Sequence, residues 1–431
     1  MSKEKAEDYA LHCELPRRVD TDFNLFRWIL LAHKSYKNEG DVIKHAAAAL
    51  KRHLRYRKAF HLDTKPTPTF EENPIFKGKF MPRGAIVEGA TDLQNRLIMC
   101  VDVAGVDTVG LLHTQATSQF ATCCFWTQEH MLRLVNEQEE KTGCLSGIRQ
   151  IGDVDEFHLS AMDMLFVRSG QMSYFANLLH YENYPELLNP QHYVNASKWL
   201  TIPYTMIKSF MPAGFNENFR LYDHNYAESL IQDIGDASAV PRNFGGTAPD
   251  ASPVRARSIS TSEYYSADTD ADMPTDQDKI HLVVHARKRK IIPIFAKLAQ
   301  RISWHMSMNT DGHVYFGVFY CERDLLDDSS GTKEKKDAKR DKEILKQAEL
   351  EDLDMVFPWL HVGARLVAEK NTITCEQEGY YYFIFCNKKA WITKQKVCIA
   401  INVADAKADT KECVITSKNG AKHLLERTLS V

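Results

Sequence analysis

The sequence predicts two folded domains, an α/β domain behind a helical N-terminal cap and an all-β sandwich. At 431 residues the chain is longer than one hydrophobic core usually serves. Residues 96–182 alternate short apolar runs with an amphipathic helix, which predicts a mixed or parallel sheet covered by helices. After residue 278 the apolar residues repeat with period two, which predicts an antiparallel sandwich.

Each element has its own pattern. The segments DFNLFRWILLAHKSY and DVIKHAAAALKRHLRYRKAF have helical apolar spacing and strong helix formers, so residues 1–62 are predicted to be a helical element. In residues 70–247, RLIMCVDV and SGIRQIGDV are typical of strands, and FATCCFWTQEHMLRLVNEQEEK is typical of a helix. These runs define the predicted α/β domain.

The second half begins after a change of composition. Residues 248–278 are rich in Ser, Thr, Asp, Ala and Pro, which predicts a flexible linker with little to bury. The runs KIHLVVHA, HVYFGVFYC, YYYFIFC and VCIAINV predict a sandwich over residues 279–405. A charged insertion at about 327–354 is expected to be a solvated loop or helix, and residues 406–431 form a tail.

The composition limits the classes of partner that we expect for this protein. Lysine and arginine (54) nearly balance aspartate and glutamate (57), so nucleic acid is not expected. No stretch approaches the roughly 20 continuous apolar residues of a membrane-spanning helix, and the charged N-terminus lacks an apolar signal region. We therefore expect a cytoplasmic protein that contacts membranes transiently. The basic run Arg287–Lys290 fits a solvated hairpin turn, with contact to an anionic membrane as the alternative.

Enzymatic signatures are absent from the sequence. It contains no GxSxG, GxxxxGK[ST] or HExxH motif. His281 and His285 have zinc-ligand spacing for a helix, but HLVVH alternates as a strand, on which they would stand about 13 Å apart. The sequence predicts no enzyme, no cofactor and no metal site.

Several motifs occur in one order within residues 181–247. They are YPE (Tyr184 to Glu186), Asn195-Ala196, SFM (Ser209 to Met211) and PRNFGG (Pro241 to Gly246). With the upstream DFNLFRWIL and YRKAF, this order resembles the CRAL-TRIO lipid-binding family, which includes phosphatidylinositol/phosphatidylcholine and α-tocopherol transfer proteins. The resemblance implies a CRAL-TRIO fold that encloses one lipid behind a movable helix.

The second half carries a further resemblance. Ile302-Ser303-Trp304, VYFGVF at Val314 to Phe319, Thr374-Cys375 before Gly379-Tyr380, and Phe385-Cys386-Asn387 before Lys396-Val397 are similar to the GOLD domain. That domain follows CRAL-TRIO in the branch that includes supernatant protein factor. The resemblance implies that the sandwich contacts a protein partner or a membrane.

The predicted gate helix covers residues 197–211. One apolar stripe consists of Trp199, Ile202, Met206 and Phe210, and a second lies on the other side of the helix. Two apolar faces suit a lid that covers lipid inside and meets a bilayer outside. A core helix that is apolar all round is the alternative, and the resemblance favours the gate.

The predicted pocket residues follow from strand alternation and from the resemblance. Ile148 and Gln150 share one strand face and are expected to line the pocket, while Arg149 faces away. The resemblance gives Glu186 a place in an inositol-headgroup site. Where the family has a headgroup threonine and lysine, this chain has Phe215 and Asn218, so Arg220 is the remaining possible headgroup contact.

Together these observations predict a lipid-binding and lipid-transfer protein. The ligand is expected to be an isoprenoid, a sterol-like or tocopherol-like molecule, or a phospholipid, with phosphatidylinositol disfavoured. The alternative is a protein-interaction adaptor in trafficking or signalling, which acts through the GOLD domain and has a vestigial pocket.

Overall fold

The computed structural model describes residues 19–156, 179, 182–196, 219–310, 312–326, 335–388, 390–405, 413–415 and 427–430. The chain divides into two compact units. Unit 1 comprises Met1–Leu54, Leu62–Leu111 and Ala121–Thr261, and unit 2 comprises Arg55–His61, Leu112–Phe120 and Ser262–Val431. Within the described ranges, no helix has both the length and the apolar character needed to cross a membrane.

The two N-terminal helices form as predicted. Helix α1 (Asp22–Ser35) is capped by the Thr21 hydroxyl, which accepts from the Asn24 amide at 3.2 Å. Helix α2 (Glu39–Ala59) follows after a short turn. Their apolar faces share a core of Trp28, Ala32, Val42, Ala46 and Leu50. The helical periodicity of the sequence therefore identified both elements.

The sheet of unit 1 is mixed, as expected. Its strands are β1 (Ala85–Thr91), β2 (Leu97–Asp102), β3 (Ile148–Asp153), β4 (Leu188–Val194) and β5 (Phe219–Leu221), and they lie in sequence order. Only the β1–β2 pair is antiparallel among these neighbours. The helices around them in the chain are α3 (Pro74–Lys77), α4 (Thr108–Thr114), α5 (Thr117–Thr142) and α6 (Ala227–Ile234).

One face of this sheet has an apolar core. Ile98 and Cys100 of β2 and Ile151 of β3 pack in one cluster with Leu230 and Ile234 of helix α6. The PRNFGG segment contributes Phe244 to the same cluster. Helix α6 and the segment after it therefore cover the face on which the odd-numbered residues of β3 lie.

Unit 2 is an antiparallel sandwich, in agreement with the predicted period. One sheet has the order β10 (Asp354–Val362), β9 (Val314–Cys321), β12 (Gly379–Cys386), β7 (Lys288–Ala296) and β15 (Arg427–Ser430). The other has the order β11 (Glu369–Thr374), β8 (Arg301–Met308), β13 (Gln395–Ala404) and β14 (Cys413–Ile415), and β6 (Ile280–Val284) also pairs with β13. Trp304 of β8 packs edge-on against Phe357 and Phe383, so the two sheets share one aromatic core.

The prediction of a flexible linker at residues 248–278 is wrong. Ala251, Ala256 and Ile259 are buried, and Arg83 and Val254 exchange backbone hydrogen bonds of 2.9 and 3.0 Å in unit 1. The second part of the segment belongs to unit 2, where Asp270 is buried and paired with Lys370 and His305. The segment has few apolar residues, but small and ionic side chains give it a defined path.

The charged insertion is also more than a solvated element. It contains helix α7 (Lys335–Lys346), in which Asp341 and Leu345 are fully buried. Arg289, expected in a solvated turn, lies in β7 with no exposed surface and donates to the carbonyls of Leu345 and Gln347. The insertion is therefore packed against the sandwich, because the buried Arg289 guanidinium needs hydrogen-bond acceptors and the end of the insertion supplies them.

Candidate functional site

The two faces of the unit 1 sheet differ in chemistry. Ile148 and Gln150 lie on one face and Arg149 on the other, as strand alternation predicts. We call the first the Gln150 face, and on β2 to β5 it consists of Leu97, Met99, Val101, Ile148, Gln150, Gly152, Gln191, Tyr193, Phe219 and Leu221. Among these described strand residues there is no charged side chain.

The Gln150 face contains one row of polar groups. Nε2 of Gln150 donates to the Tyr193 hydroxyl at 3.0 Å, and that hydroxyl donates to Oε1 of Gln191 at 3.0 Å. Burial raises the pKa of Tyr193 to about 12, so the phenol stays neutral. Apolar side chains border the row, since Met99 and Ile148 are buried on the same face. This arrangement suits a mostly apolar molecule with a small uncharged polar group.

A glycine gives the tyrosine its position. A Cβ at Gly152 would lie 2.8 Å from ring carbons of Tyr193, which is too close for a real contact. The ring of Tyr193 therefore lies across the position where a side chain of β3 would otherwise project. Phe219 extends the aromatic surface, with its ring centre 4.7 Å from that of Tyr193.

The opposite face contains a network of hydrogen bonds and ion pairs. Nε of Arg149 lies 2.7 Å from Oδ2 of Asp92, and its Nη1 donates to Nε2 of His192 at 2.8 Å. Nδ1 of His192 contacts the Tyr222 hydroxyl at 2.7 Å, and that hydroxyl donates to Asp233 at 2.5 Å. The network thereby satisfies two charged groups, Arg149 and Asp92, that are almost fully buried.

The bonds fix the tautomer of His192. Arginine has no acceptor, so Nε2 of His192 must accept and Nδ1 must carry the proton that is donated to Tyr222. Burial and the nearby Arg149 charge lower the pKa of His192 to about 3. The imidazole is therefore neutral at physiological pH and acts as a hydrogen-bonded connection between an arginine and a tyrosine.

Arg220 lies in this second network. It shares a strand face with His192, pairs with Asp233 at 2.6 Å, and these contacts raise its pKa. Its side chain therefore lies on the face opposite Ile148 and Gln150, and the possible headgroup contact of Arg220 stays a prediction.

Glu186 lies in the turn before β4. Its carboxylate pairs with Lys34 of helix α1 and accepts from Nδ2 of Asn189 at 2.7 Å, and its backbone has a φ of 57°. Through these two partners the Glu186 carboxylate links helix α1 to strand β4. Its place in a headgroup site stays a prediction.

The remaining predicted residues lie outside the described part of the chain. They are the gate residues Trp199, Ile202, Met206 and Phe210 and the pocket residues Phe215 and Asn218.

Models of three known domains match parts of the chain. Residues 83–246 match the model of the CRAL/TRIO domain, so the chain contains a CRAL/TRIO domain. Residues 9–65 match a domain of unknown function, DUF8435. Residues 265–412 match a model described as F28H7_8_C:-like, C-terminal domain, so the GOLD resemblance stays a prediction.

Two individual proteins are similar to parts of this chain. Protein ctg-1 of Caenorhabditis elegans is 20% identical over 371 residues, which are 83% of this chain and 87% of that protein. The crystal structure of Sfh5 has 16% sequence identity and a TM-score of 0.36, and the match covers 53% of this chain and 77% of that chain.

Neither the polar row on the Gln150 face nor the network around Arg149 was predicted from the sequence. The signal for the Arg149 network was available, because an arginine within the apolar run SGIRQIGDV must find an anionic partner if that run is a buried strand. The identity of the partner was not available, since Asp92 lies 57 residues away in a turn before β2.

Proposed function

We propose that this protein binds a hydrophobic lipid on the Gln150 face of its CRAL/TRIO domain and exchanges it with membranes. The observation that carries the proposal is the uncharged face with one polar row, within the part of the chain that matches this domain. A lipid needs such shelter because each exposed CH₂ costs about 0.8 kcal/mol in water. The polar row provides hydrogen bonds for one small polar group.

The proposed ligand class is neutral or weakly polar. Phe215 and Asn218 stand where the resemblance expects a hydroxyl and an ammonium, and each missing hydrogen bond to a phosphate costs about 1.5–3 kcal/mol. Arg220, the predicted substitute, pairs with Asp233 on the opposite face, which supports a ligand without a phosphate. An isoprenoid, a sterol-like or a tocopherol-like molecule therefore fits better than phosphatidylinositol.

The gate remains part of the proposal. Residues 197–211 carry two apolar stripes, which suit an element that covers lipid and meets a bilayer. Changing Trp199 and Phe210 together to aspartate should strongly reduce lipid transfer between vesicles while circular dichroism shows retained folding. Unchanged transfer would exclude this segment from the mechanism.

The decisive experiment is mass spectrometry of the protein purified under native conditions. The proposal expects one lipid per chain, with a neutral lipid preferred over phosphatidylinositol in competition. An empty protein that takes up no lipid would contradict it and favour the adaptor function. Arg220→Ala serves as a control, because this residue lies on the face opposite Gln150 and its loss should leave lipid content unchanged.

The sandwich has a separate proposed role. The resemblance to the GOLD domain suggests contact with a membrane or a protein partner, and a β-sandwich offers loops at its ends for such contact.

A further inference from the structure

The loop between β12 and β13 exposes two large apolar side chains. Trp391 has 81% of its surface exposed and Ile392 has 92%, which are the largest fractions among the exposed large hydrophobic residues of the described chain. Single exposed apolar residues are common on proteins. Two adjacent ones at the end of a loop, one of them tryptophan, form a compact apolar tip.

The loop is held at its base. Nδ2 of the buried Asn387 donates to the carbonyls of Val284 at 3.2 Å and Thr393 at 2.9 Å. The Asn387 carbonyl in turn accepts from the Arg287 amide at 3.0 Å. These bonds join both ends of the loop to the β6–β7 turn, so the tip projects from a fixed base.

Basic residues surround the tip. The guanidinium carbon of Arg287 lies 4.4 Å from the ring centre of Trp391. Lys394 and Lys396, which follow the tip in the chain, are also exposed. The sequence contains no aspartate or glutamate at residues 279–310 or 379–404, the two stretches that meet at this end of the sandwich. The charged side chains of these two stretches are therefore all basic, although the whole chain is slightly acidic.

We propose that Trp391 and Ile392, with Arg287 and Lys394 beside them, dock this protein on anionic membrane surfaces. The inference deepens the proposed function, on which it rests, by naming the surface that meets the bilayer. Tryptophan prefers the headgroup region, where its ring is apolar and its N–H stays hydrated. Isoleucine can enter the acyl boundary, and arginine and lysine are attracted to anionic headgroups.

A membrane suits the shape of the tip better than a protein does. Two side chains offer much less area than the roughly 800 Å² that each partner buries in a standard protein interface. Insertion into a bilayer needs no matching surface, because apolar side chains and basic neighbours act independently on a fluid partner. The occupant to which we commit is therefore an anionic lipid surface.

Vesicle flotation of the full chain tests this proposal. The vesicles are phosphatidylcholine alone or phosphatidylcholine with about one-third phosphatidylserine. Trp391→Ser with Ile392→Ser should lower the partition onto anionic vesicles by about tenfold or more. Arg287→Gln with Lys394→Gln should abolish most of the preference for anionic over neutral vesicles.

Leu298→Ser is the matched control. Leu298 is 64% exposed in the turn after β7, at the end of that strand away from Arg287, so its loss should leave vesicle binding unchanged. Because all these side chains are exposed, folding is expected to be retained, and unfolding curves verify it.

The proposal is overturned if the Trp391/Ile392 variant binds anionic vesicles like the unchanged protein, or if the unchanged protein binds neither kind of vesicle. It is also overturned if the Trp391/Ile392 variant loses binding to a protein partner while its binding to anionic vesicles is unchanged. Native mass spectrometry of the same samples separates the two proposals. Loss of vesicle binding in a protein that never contains lipid supports the tip and refutes the lipid pocket.

Discussion

Arg149 donates a hydrogen bond to Nε2 of His192 at 2.8 Å in the centre of the unit 1 sheet, with both side chains buried. This contact explains why a histidine can occupy that position without a charge. The arginine repels a proton from Nε2 and also uses the lone pair that the proton would need. The pair therefore makes the stability of unit 1 sensitive to acid.

The first prediction concerns pH. The unfolded imidazole binds a proton below about pH 6.5, whereas the folded one does so only near pH 3. The unfolded state is thus favoured progressively as pH falls from 6.5 to 3, and the full stability is present above 6.5. Between pH 7 and pH 5 this single group should reduce the free energy of unfolding by about 2 kcal/mol. Urea unfolding at the two pH values measures the loss.

His192→Gln provides the comparison, because a glutamine amide can accept from Arg149 and has no proton to gain. Its stability should change less between pH 7 and pH 5 than that of the unchanged protein. An equal pH dependence in both proteins would show that His192 is not the responsible group.

The second prediction concerns the ion pair between Arg149 and Asp92. Arg149→Met leaves the buried carboxylate of Asp92 without its closest cation and should cost about 3 kcal/mol in the free energy of unfolding. The double change with Asp92→Asn removes both charges and should recover part of that loss. Chemical denaturation of the four proteins gives the coupling energy, and strict additivity would contradict the assigned pair.

Arg149 and Asp92 illustrate what the sequence could and could not predict. Period-two alternation correctly separated Arg149 from Ile148 and Gln150, because adjacent side chains of a strand point to opposite faces. The same rule fails to identify Asp92, His192 and Asp233 as partners, since their proximity depends on the order in which strands pair. Local patterns specify elements and faces, whereas long-range contacts specify the site.

The predicted linker failed for a related reason. Composition measures how much apolar surface a segment can bury, but a buried carboxylate also anchors residues 262–278 through polar contacts. Asp270 accepts from Tyr265 at 2.6 Å and from His305 at 3.2 Å, and it pairs with Lys370. Burial alone would raise the pKa of Asp270, but these donors lower it far below the usual range.

The third prediction follows from that carboxylate. Asp270→Ala should release the segment and reduce the stability of unit 2 by about 3 kcal/mol, because a buried ionic contact loses its anion. Hydrogen exchange of the amides at residues 264–274 should become much faster. Asp272→Ala is the matched control, since this exposed carboxylate lies 3.6 Å from the same Lys370 and should change little. Equal exchange in the two variants would contradict the role of Asp270.

The last prediction tests the Gln150 face directly. The ring of Tyr193 occupies the space above Gly152, where even a Cβ would come within 2.8 Å of it. Gly152→Val should therefore displace the tyrosine and break its hydrogen bonds to Gln150 and Gln191. We expect the lipid content of the purified protein to fall several-fold, as native mass spectrometry would measure. Tyr193→Phe keeps the ring in place but removes the hydroxyl, so it should preserve total lipid uptake while weakening the preference for lipids with a polar group. If both variants retain the unchanged amount and kind of lipid, the ligand does not contact this face, and the binding surface must be sought elsewhere in the CRAL/TRIO domain.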